Sequence, residues 1–552
     1  MAENSKKRNW NAFRLCYEAA ADGWSECGEW RAANISDPDV VRKGHGMADL
    51  INRLATSKPG HWVSADLDID GRLIMAWLLD HGWTPVDDDS PAEHQFKPLI
   101  ADSGSIIRIR LRVKRGLVDI TDMSRLAPLS IRQMRDIVCD GQRDWRISDD
   151  VCIMARILAL LNSEDLTRIT ISSNAYNDYL DTIGRADTKR LFPKLRANET
   201  DLVAQAFNGG FVWLDPHWKN RHTGPGLSVD ANSLYPSVAL ANRLPCGKPK
   251  PFAGMAEDDG LLTIQSAVID WDIKPNGLPV MPRRYRRDEL EPGHSMQPTL
   301  VTMTDIDWQL VRDNYDIMVL EWRGGLKFYG QRGLFTPYIE KWGEKKRHSD
   351  SGQRMMAKMM LNSLFGKFGT KTRRRNLMPG LQDGQLVYDQ SPVKRTRGIY
   401  TPVAAWVNAY ARRELLSAIN ANRGRVVYCD TDSMHLIGAD PPAGIVLDDA
   451  AFGAWKVEKH FEDCMHIREK SYMWQDYDGG LQCKVSGMPE NISSAMDWST
   501  YHEGWCNYDP ATGVVKPGLE RWLPDVDGVR VRMVPGRYRI TGGMLGSLSG
   551  GC

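Results

Sequence analysis

The stretch RVVYCDTDSMHLI, residues 425–437, places two acids, Asp430 and Asp432, between two runs of strand-forming apolar residues. Side chains at positions i and i+2 of an extended chain share one face, so both carboxylates would converge at the bend of a short hairpin. Aspartate, threonine and serine are also ordinary turn residues. A polar turn and a divalent-metal site are therefore both open, and the rest of the chain decides between them.

The composition of the 552-residue chain excludes few functions, since 71 Lys plus Arg balance 70 Asp plus Glu. Nucleic-acid binding would depend on local basic patches such as RIRLRVKR (108–115) and KTRRR (371–375). The ten cysteines form no CxxC pair, which argues against a zinc ribbon or a secreted disulfide framework and favours a reducing cytosol. We find no signal peptide and no apolar run of about 18 residues, so we expect no membrane segment.

Hydrophobic periodicity divides the chain into regions. Residues 61–83 predict a strand and loop leading into an amphipathic helix, and residues 149–162 predict a mostly buried helix. The segment 246–335 is rich in Pro, Gly and charge and predicts an inserted subdomain of several short strands. Residues 352–368 have the helical period, with Gly366 placed to end or loosen that helix. The last residues, TGGMLGSLSGGC (541–552), predict a flexible tail.

A further acid, Asp230, lies in LSVDANSLYPS (227–237), where a predicted strand turns into a helix. Two metal ions that clamp a phosphoryl group need about two to four carboxylate oxygens plus carbonyls and phosphates, because Mg²⁺ demands octahedral oxygen ligation. Asp230, Asp430 and Asp432 would supply that set.

The helix AKMMLNSLFGKF (357–368) adds cations to this set of candidates. Lys358, Asn362 and Phe365 are spaced i, i+4 and i+7 on one face, Arg354 lies one turn earlier, and Lys346 precedes the helix. Such a face could hold a triphosphate and stack on its base. For the helix considered alone, a solvated basic face is the simpler explanation.

Three segments in this order, DANSLYPS (230–237), KMMLNSLFGKF (358–368) and YCDTDS (428–433), resemble motifs A, B and C of family B DNA polymerases. Their flanks are similar to segments of the protein-primed polymerases of bacteriophages and linear plasmids, namely FNGGF (207–211), GLKFYGQRGLF (325–335), YTPVAAW (400–406) and EKSYMW (469–474). The resemblance spans about residues 200 to 500. It implies a DNA-directed DNA polymerase that replicates a phage or mobile-element genome by protein priming with strand displacement.

The resemblance also implies a role for each candidate site residue. Two Mg²⁺ ions, for which Mn²⁺ can substitute, would be held by Asp230, Asp432 and the carbonyl of Ala231, with Asp430 beside them. Tyr235 matches the steric gate that excludes a 2′-hydroxyl. Contacts with the incoming dNTP are implied for Lys346, Arg354, Lys358, Asn362 and Phe365. Contacts with primer or template are implied for Phe207, Gly209, Gly210, Lys470 and Tyr472. Phe365 and Phe207 stand where this family usually has Tyr.

The fold implied is α+β, a right-hand polymerase with palm, fingers and thumb and an N-terminal ribonuclease-H-like 3′–5′ exonuclease-type domain. The predicted division is an exonuclease-like domain (1–190), palm (191–245 and 400–484), fingers (336–370), insertions resembling terminal protein regions one and two (246–335 and 371–399), and thumb with tail (485–552). The implied partners are DNA template and primer, dNTPs and a terminal protein. We expect a monomer in the cytoplasm of a bacterial host.

The N-terminal region departs from the exonuclease pattern of the family. Spacing alone places the first motif at CYEA, where Cys16 replaces an Asp and Glu18 remains. Asp70 matches the middle motif, and Asp150 the third, in which Arg146 takes a Tyr position. A thiol is a poor ligand for Mg²⁺, and a guanidinium cannot orient an attacking water as a phenol does. We therefore predict that proofreading is weak or absent.

Two alternatives to a protein-primed replicase stay open at this point. One is a family B polymerase domesticated for a task that uses a DNA primer or no primer. The other is a catalytically dead DNA-binding remnant, against which the intact set of Asp230, Asp430, Asp432, Tyr235 and Lys358 argues.

Overall fold

The computed structural model describes residues 9–138, 149–285, 293–295, 297–348, 351–395 and 398–542. Up to residue 206, the described strands are β1 (Trp10–Ala19), β2 (Ser25–Asn34), β3 (Asp37–His45), β4 (Gly60–Ser64), β5 (Thr84–Pro85), β6 (Gln95–Ile100), β7 (Ile106–Val113) and β8 (Gly116–Asp122). The helices of this part are α1 (Gly46–Thr56), α2 (Leu67–Asp80), α3 (Met123–Leu126), α4 (Ile131–Val138), α5 (Asp150–Ser163), α6 (Ile171–Ile183), α7 (Arg185–Leu191) and α8 (Ala197–Ala206).

The N-terminal strands form a sheet with β1, β4 and β8 paired in parallel. Strand β4 is buried on both faces, because α2 packs on one side of the sheet and α5 on the other. Both helices are apolar on most of their surface, and Leu73 of α2 and Ile153 of α5 are fully buried. The predicted strand and helix over 61–83 and the predicted buried helix over 149–162 are therefore confirmed.

The middle of the chain, between residues 212 and 348, alternates strands with helices. Its elements are β9 (Val212–Leu214), β10 (Gly226–Ala231), α9 (Leu234–Ala241), β11 (Leu244–Phe252), β12 (Leu262–Ile273), β13 (Thr299–Thr304), α10 (Asp305–Asn314), β14 (Tyr315–Gln331) and α11 (Thr336–His348).

The described remainder of the chain completes the fold. Its helices are α12 (Ser351–Phe368), α13 (Pro402–Ala421) and α14 (Glu490–Ser493). Its strands are β15 (Arg373–Arg374), β16 (Leu377–Gln382), β17 (Gln385–Gln390), β18 (Lys394–Arg395), β19 (Val426–Asp430), β20 (Ser433–Ile437), β21 (Trp455–Phe461), β22 (Asp463–Arg468), β23 (Ser471–Gln475), β24 (Leu481–Val485), β25 (Trp522–Asp527) and β26 (Arg530–Pro535).

A five-stranded antiparallel sheet, in the order β21-β10-β20-β19-β9, lies at the centre of the molecule. Its apolar side chains, such as Val229 and Met434, are fully buried in a core shared with α9, α12 and α13. Strands β19 and β20 form the hairpin predicted for residues 425–437, joined by Thr431 and Asp432. Thr431 has a positive φ of 59°, which makes the turn tight.

The predicted insertion over 246–335 contains a four-stranded sheet in the order β11-β14-β12-β13. The prediction of short strands is wrong, because β12 has 12 residues and β14 has 17. Gly324 and Gly325 do not end β14. Gly324 has a φ of +76°, and a Cβ at Gly325 would lie 1.9 Å from the Ile264 carbonyl oxygen. The two glycines let the strand continue through an irregularity in register opposite Ser266.

Helix α12 spans Ser351–Phe368, which confirms the helix predicted over 352–368. It continues past Gly366, so this glycine does not end the helix, and its predicted loosening effect stays a prediction. A Cβ at Gly366 would meet no atom within 4 Å, so no close contact requires glycine there. Phe368 is fully buried and packs edge-on against Phe335, which holds the last turn in place.

The C-terminal hairpin of β25 and β26 returns to the N-terminal sheet, where Val531 pairs with Ser25. The guanidinium of Arg530 forms an ion pair of 2.7 Å with Asp22 and lies over the ring of Trp24. Of the predicted tail, only residues 541 and 542 belong to the described residues. None of the described helices combines the length and the hydropathy needed to span a bilayer.

Candidate active site

The central sheet brings together acids that lie about 200 residues apart in the chain. Asp230 is the penultimate residue of β10 and Asp430 ends β19, and both are paired in register with Ser433 of the intervening strand β20. Asp432 lies in the adjoining turn, and its carbonyl accepts a hydrogen bond of 2.7 Å from the Ala231 amide. These pairings place the three acids at one edge of the sheet, as a single site formed by them requires.

Asp432 lies near two other acids and has no cationic partner among the described residues. Burial, and then the neighbouring carboxylates of Asp230 and Asp430, raise the pKa of Asp432 to about 6. Burial also raises the pKa of Asp230. No lysine or arginine in the described ranges forms an ion pair with Asp432. The donor set of carboxylate and carbonyl oxygens is the type that a hard divalent cation takes, so the residues fit a metal ion of that class.

The other two acids are each compensated by a lysine. Lys470 forms a short ion pair with Asp430, which also accepts a 3.2 Å hydrogen bond from the Tyr428 hydroxyl. Lys456 Nζ lies 3.7 Å from Asp230 Oδ1. The sequence analysis missed Lys456, since it faces Asp230 only through the register of β21 against β10.

Cations from α11 and α12 converge beside the acids. Lys346 Nζ donates a 3.1 Å hydrogen bond to Ser233 Oγ in the turn that follows β10. Burial, and then the charges of Lys358, Arg354 and Lys456, lower the pKa of Lys346. Lys358 is also close enough to lower the pKa of Asp230. These lysines and the arginine form a cation cluster of the kind that binds polyphosphate.

Tyr235 lies in the first turn of α9, two residues after the left-handed residue Ser233. Its side chain is half-buried, and its pKa is raised by burial and then by the charges of Asp432 and Asp430. The ring therefore borders the carboxylate edge, which is where a steric gate must lie.

The face of α12 that was predicted to carry nucleotide contacts is only partly free. Lys358 and Asn362 are exposed, whereas Phe365 is 5% exposed and packs edge-on against Phe335 at 5.3 Å. Phe365 belongs to the buried stripe of the helix, together with Leu361 and Phe368. Its stacking role stays a prediction, and the packing leaves it little free surface.

The FNGGF segment lies against the β19–β20 hairpin. The Thr431 amide donates a 2.8 Å hydrogen bond to the Phe211 carbonyl. Arg412 donates to the carbonyls of Asn208 and Gly209 and forms a nearly fully buried ion pair with Asp307 at 2.6 Å. The sequence analysis missed Arg412, because within the helix segment YARREL it has the appearance of an ordinary surface charge.

Gly210 is predicted to be intolerant of a side chain. A Cβ at this position would lie 2.6 Å from Thr431 Oγ1, whereas one at Gly209 would meet nothing within 4 Å. Because Thr431 separates Asp430 from Asp432, we expect Gly210→Ala to displace the catalytic turn and slow DNA synthesis about 10- to 100-fold. Gly380→Ala on β16 is the control, because a Cβ there would meet only Val387 at an ordinary 3.6 Å, and it should stay near the wild-type rate. Steady-state dNTP incorporation measures both, and equal rates would contradict the proposed contact.

Lys470 and Tyr472 lie on the β22–β23 turn and on β23. Lys470 has a φ of +59°, and its amide donates a 3.1 Å hydrogen bond to the Tyr428 hydroxyl. The ring of Tyr472 stacks on Trp474 at 5.2 Å. Asp430, Lys470 and Tyr472 line a cavity of about 590 Å³ that begins at the catalytic hairpin. The predicted primer contacts thus border the acids. Phe207, in the other predicted primer or template segment, is half-buried at the end of α8.

The two retained exonuclease aspartates, Asp70 and Asp150, contact other side chains of the same domain. Asp70 is buried and accepts hydrogen bonds from the Tyr17 hydroxyl at 2.7 Å and the Ser64 hydroxyl at 2.6 Å. Burial raises the pKa of Asp70 to about 7. Arg14 forms an ion pair with Asp150. Tyr17 was overlooked in the sequence analysis although it lies between the two residues assigned to the first motif.

The other two residues of the first exonuclease motif differ in exposure. The thiol of Cys16 is half-buried, whereas Glu18 is exposed on β1. Arg146 lies outside the described residues.

A family model for DNA polymerase type B, organellar and viral, matches residues 147–445, more than half of the chain. The chain belongs to the type B DNA polymerases. This polymerase is 31% identical over 546 residues to the DNA polymerase of Bacillus phage phi29, an alignment that covers 89% of this chain and 94% of the relative. It is 28% identical over 491 residues to the DNA polymerase of Bacillus phage Nf, with coverage of 80% and 86%.

A solved structure gives the same fold. The phi29 DNA polymerase in complex with primer-template DNA and incoming nucleotide substrates superimposes with a TM-score of 0.86 at 24% sequence identity, over 97% of this chain and all of that chain. The predicted α+β right-hand fold with an exonuclease-type domain is confirmed. The resemblance to the protein-primed family B polymerases of phages is also confirmed, as is the assignment as a DNA-directed DNA polymerase. Neither alternative function is favoured. The family depends on divalent metal ions.

Proposed function

We propose that this polymerase copies a phage or mobile-element genome from a protein primer, and that Asp230 and Asp432 hold two Mg²⁺ ions. One observation carries the proposal. The carboxylate edge formed by β10 and the β19–β20 hairpin lies directly beside the cation cluster of α11 and α12. That juxtaposition is what a nucleotidyl transfer from a triphosphate requires.

Each group has a separable task in this reaction. The bound metal ions would lower the pKa of the attacking hydroxyl and neutralise charge on the departing pyrophosphate. Lys346, Lys358 and Arg354 bind and orient the triphosphate, and Tyr235 occupies the space that a 2′-hydroxyl would need. Lys470 holds Asp430 in place beside the primer end. Positioning and fixed charge therefore supply most of the catalysis.

The division of the chain into domains is part of this proposal. Two segments inserted in the polymerase region, 246–335 and 371–399, correspond in position to the two terminal protein regions of the family. The exposed apolar side chains Leu300, Met318 and Leu320 on the first of them suit a protein partner. We place the monomeric enzyme in the cytoplasm of a bacterial host.

Protein priming is tested by supplying the polymerase with the product of each neighbouring gene and labelled dATP, dCTP, dGTP or dTTP, without a DNA primer. The proposal expects one gene product to acquire a labelled nucleotide in a template-dependent reaction. A parallel reaction on primed DNA shows that the enzyme is active. Robust extension of the DNA primer, with no labelled protein for any neighbouring product, would contradict the proposal.

We propose further that the N-terminal domain has lost most of its proofreading activity. Two observations support this proposal. Cys16 stands in place of an oxygen ligand. Asp70 accepts a hydrogen bond from Tyr17, and Asp150 forms an ion pair with Arg14. We expect degradation of 3′-labelled single-stranded DNA in Mg²⁺ to be near the background rate and unchanged in Asp70→Ala. A Mg²⁺-dependent nuclease activity that disappears in Asp70→Ala would overturn this proposal. Primer extension by the same variant controls for folding.

A further inference from the structure

A second cluster of potential metal ligands lies behind the catalytic hairpin. It consists of His435 on β20 and Cys464 and His466 on β22. His435 Nδ1 lies 3.0 Å from His466 Nε2, and Cys464 Sγ lies 3.9 Å from that same nitrogen. Within the ranges that the structure describes, this is the one group of three or more such side chains whose ligand atoms all lie within 4.8 Å of one another.

The cluster differs chemically from the carboxylate edge. Two imidazoles and a thiol are borderline and soft ligands, which favour Zn²⁺ over Mg²⁺. In a tetrahedral zinc site with ordinary bond lengths, the ligand atoms lie about 3.3 to 3.6 Å apart. The observed separations of 3.0 and 3.9 Å lie on either side of that range, and Cys464 Sγ also lies 3.8 Å from His466 Nδ1. All three ligand atoms lie within 4.8 Å of one another, so metal binding would draw the side chains together.

The surroundings suit a metal ion as well. All three side chains are at most 4% exposed. Burial lowers the pKa of both imidazoles, which favours the neutral form that binds metals. One of the two facing nitrogens carries the proton of their hydrogen bond, so metal binding would require that ring to move this proton to its other nitrogen. His435 also lines a cavity of about 310 Å³, so one of the three ligands borders a space that a metal ion could enter.

We propose that His435, Cys464 and His466 form a zinc site that ties the catalytic hairpin to the base of the C-terminal region. His435 follows Asp432 by three residues, and His466 precedes Lys470 by four. The two strands belong to different sheets. A shared Zn²⁺ ion would therefore fix the separation between the metal-binding acid and the primer-side lysine. Binding releases the proton of the Cys464 thiol to solvent.

The competing explanation is a hydrogen-bonded pair of neutral histidines beside an inert thiol. Two measurements separate it from the proposal. The untagged polymerase, purified without chelator and dialysed against excess Mg²⁺, should retain about one zinc ion per chain by mass spectrometry. Replacement of zinc by Co²⁺ should produce a sulfur-to-cobalt charge-transfer band.

Cys464→Ser should abolish the band and lower the affinity for Zn²⁺ at least about tenfold. The matched control is Cys483→Ser, because Cys483 lies in the same small sheet and contacts Met496 rather than a histidine. That variant should keep both the zinc and the band. Zinc should also raise the thermal unfolding midpoint of wild type and Cys483→Ser but not of Cys464→Ser. A zinc-free wild-type chain that gives no cobalt band, or equal zinc affinity in wild type and Cys464→Ser, would overturn the proposal.

Discussion

Asp432→Asn should reduce dNTP incorporation on a primed template about 10³-fold or more. The substitution keeps the size of the side chain and removes its charge. Asp432 is the one acid of the three that has no cationic partner among the described residues, and burial, followed by the charges of Asp230 and Asp430, raises its pKa to about 6. The substitution therefore breaks no ion pair within the protein. We expect its effect to be on metal binding and catalysis. Single-turnover incorporation of one nucleotide measures it.

The control for this variant is Asp449→Asn, which changes an exposed aspartate in the loop that precedes β21. It should retain the wild-type rate. Binding of primer-template DNA, measured by fluorescence anisotropy, should change less than about threefold in Asp432→Asn, since the acid is not a phosphate ligand. An incorporation rate within tenfold of wild type would mean that another residue holds the metal.

Tyr235→Ala should lower the preference for dNTPs over NTPs about 10²-fold. The ring lies beside Asp432 and Asp430 and is held by packing in the first turn of α9. Removing it opens the space that a ribose 2′-hydroxyl needs, so the gain should appear in kcat/KM for NTPs. The ratio of kcat/KM values for dCTP and CTP on one template measures the effect.

Tyr235→Phe is the matched control, because it keeps the ring and removes only the hydroxyl. Its sugar discrimination should stay close to that of wild type. If Tyr235→Ala left the ratio unchanged while both variants bound dNTPs normally, the steric gate would lie elsewhere. If both variants lost discrimination equally, the hydroxyl rather than the bulk of the ring would be responsible.

Local patterns predicted much of the fold. The β19–β20 hairpin and the buried helix α5 follow from the hydrophobic period over a few residues, and the structure has both. Glycine was the weaker guide, since Gly366 does not end α12, and β14 runs on through Gly324 in a region where short strands were predicted. Some glycines end a strand, and others permit an irregularity within a long strand. The two kinds can be distinguished only when the pairing partner of the strand is known.

The candidate site residues could be predicted where they are close in sequence or belong to ordered motifs. They could not be predicted where contacts between distant segments of the chain bring them together. Asp430 and Asp432 belong to the first class. Lys456 opposite Asp230 and Tyr17 against Asp70 belong to the second. The first contact arises from the pairing of β21 with β10, and the second from the packing of α2 against β1; no local pattern specifies either.

The number of Mn²⁺ ions bound in the ternary complex tests the central claim most directly. Electron paramagnetic resonance would count the ions with a dideoxy-terminated primer, template and the matching dNTP. The account predicts about two ions per complex for wild type and for Asp70→Ala, and the loss of at least one in Asp432→Asn. Unchanged stoichiometry in Asp432→Asn, or a loss in Asp70→Ala instead, would contradict the assignment of the metal site to Asp230 and Asp432.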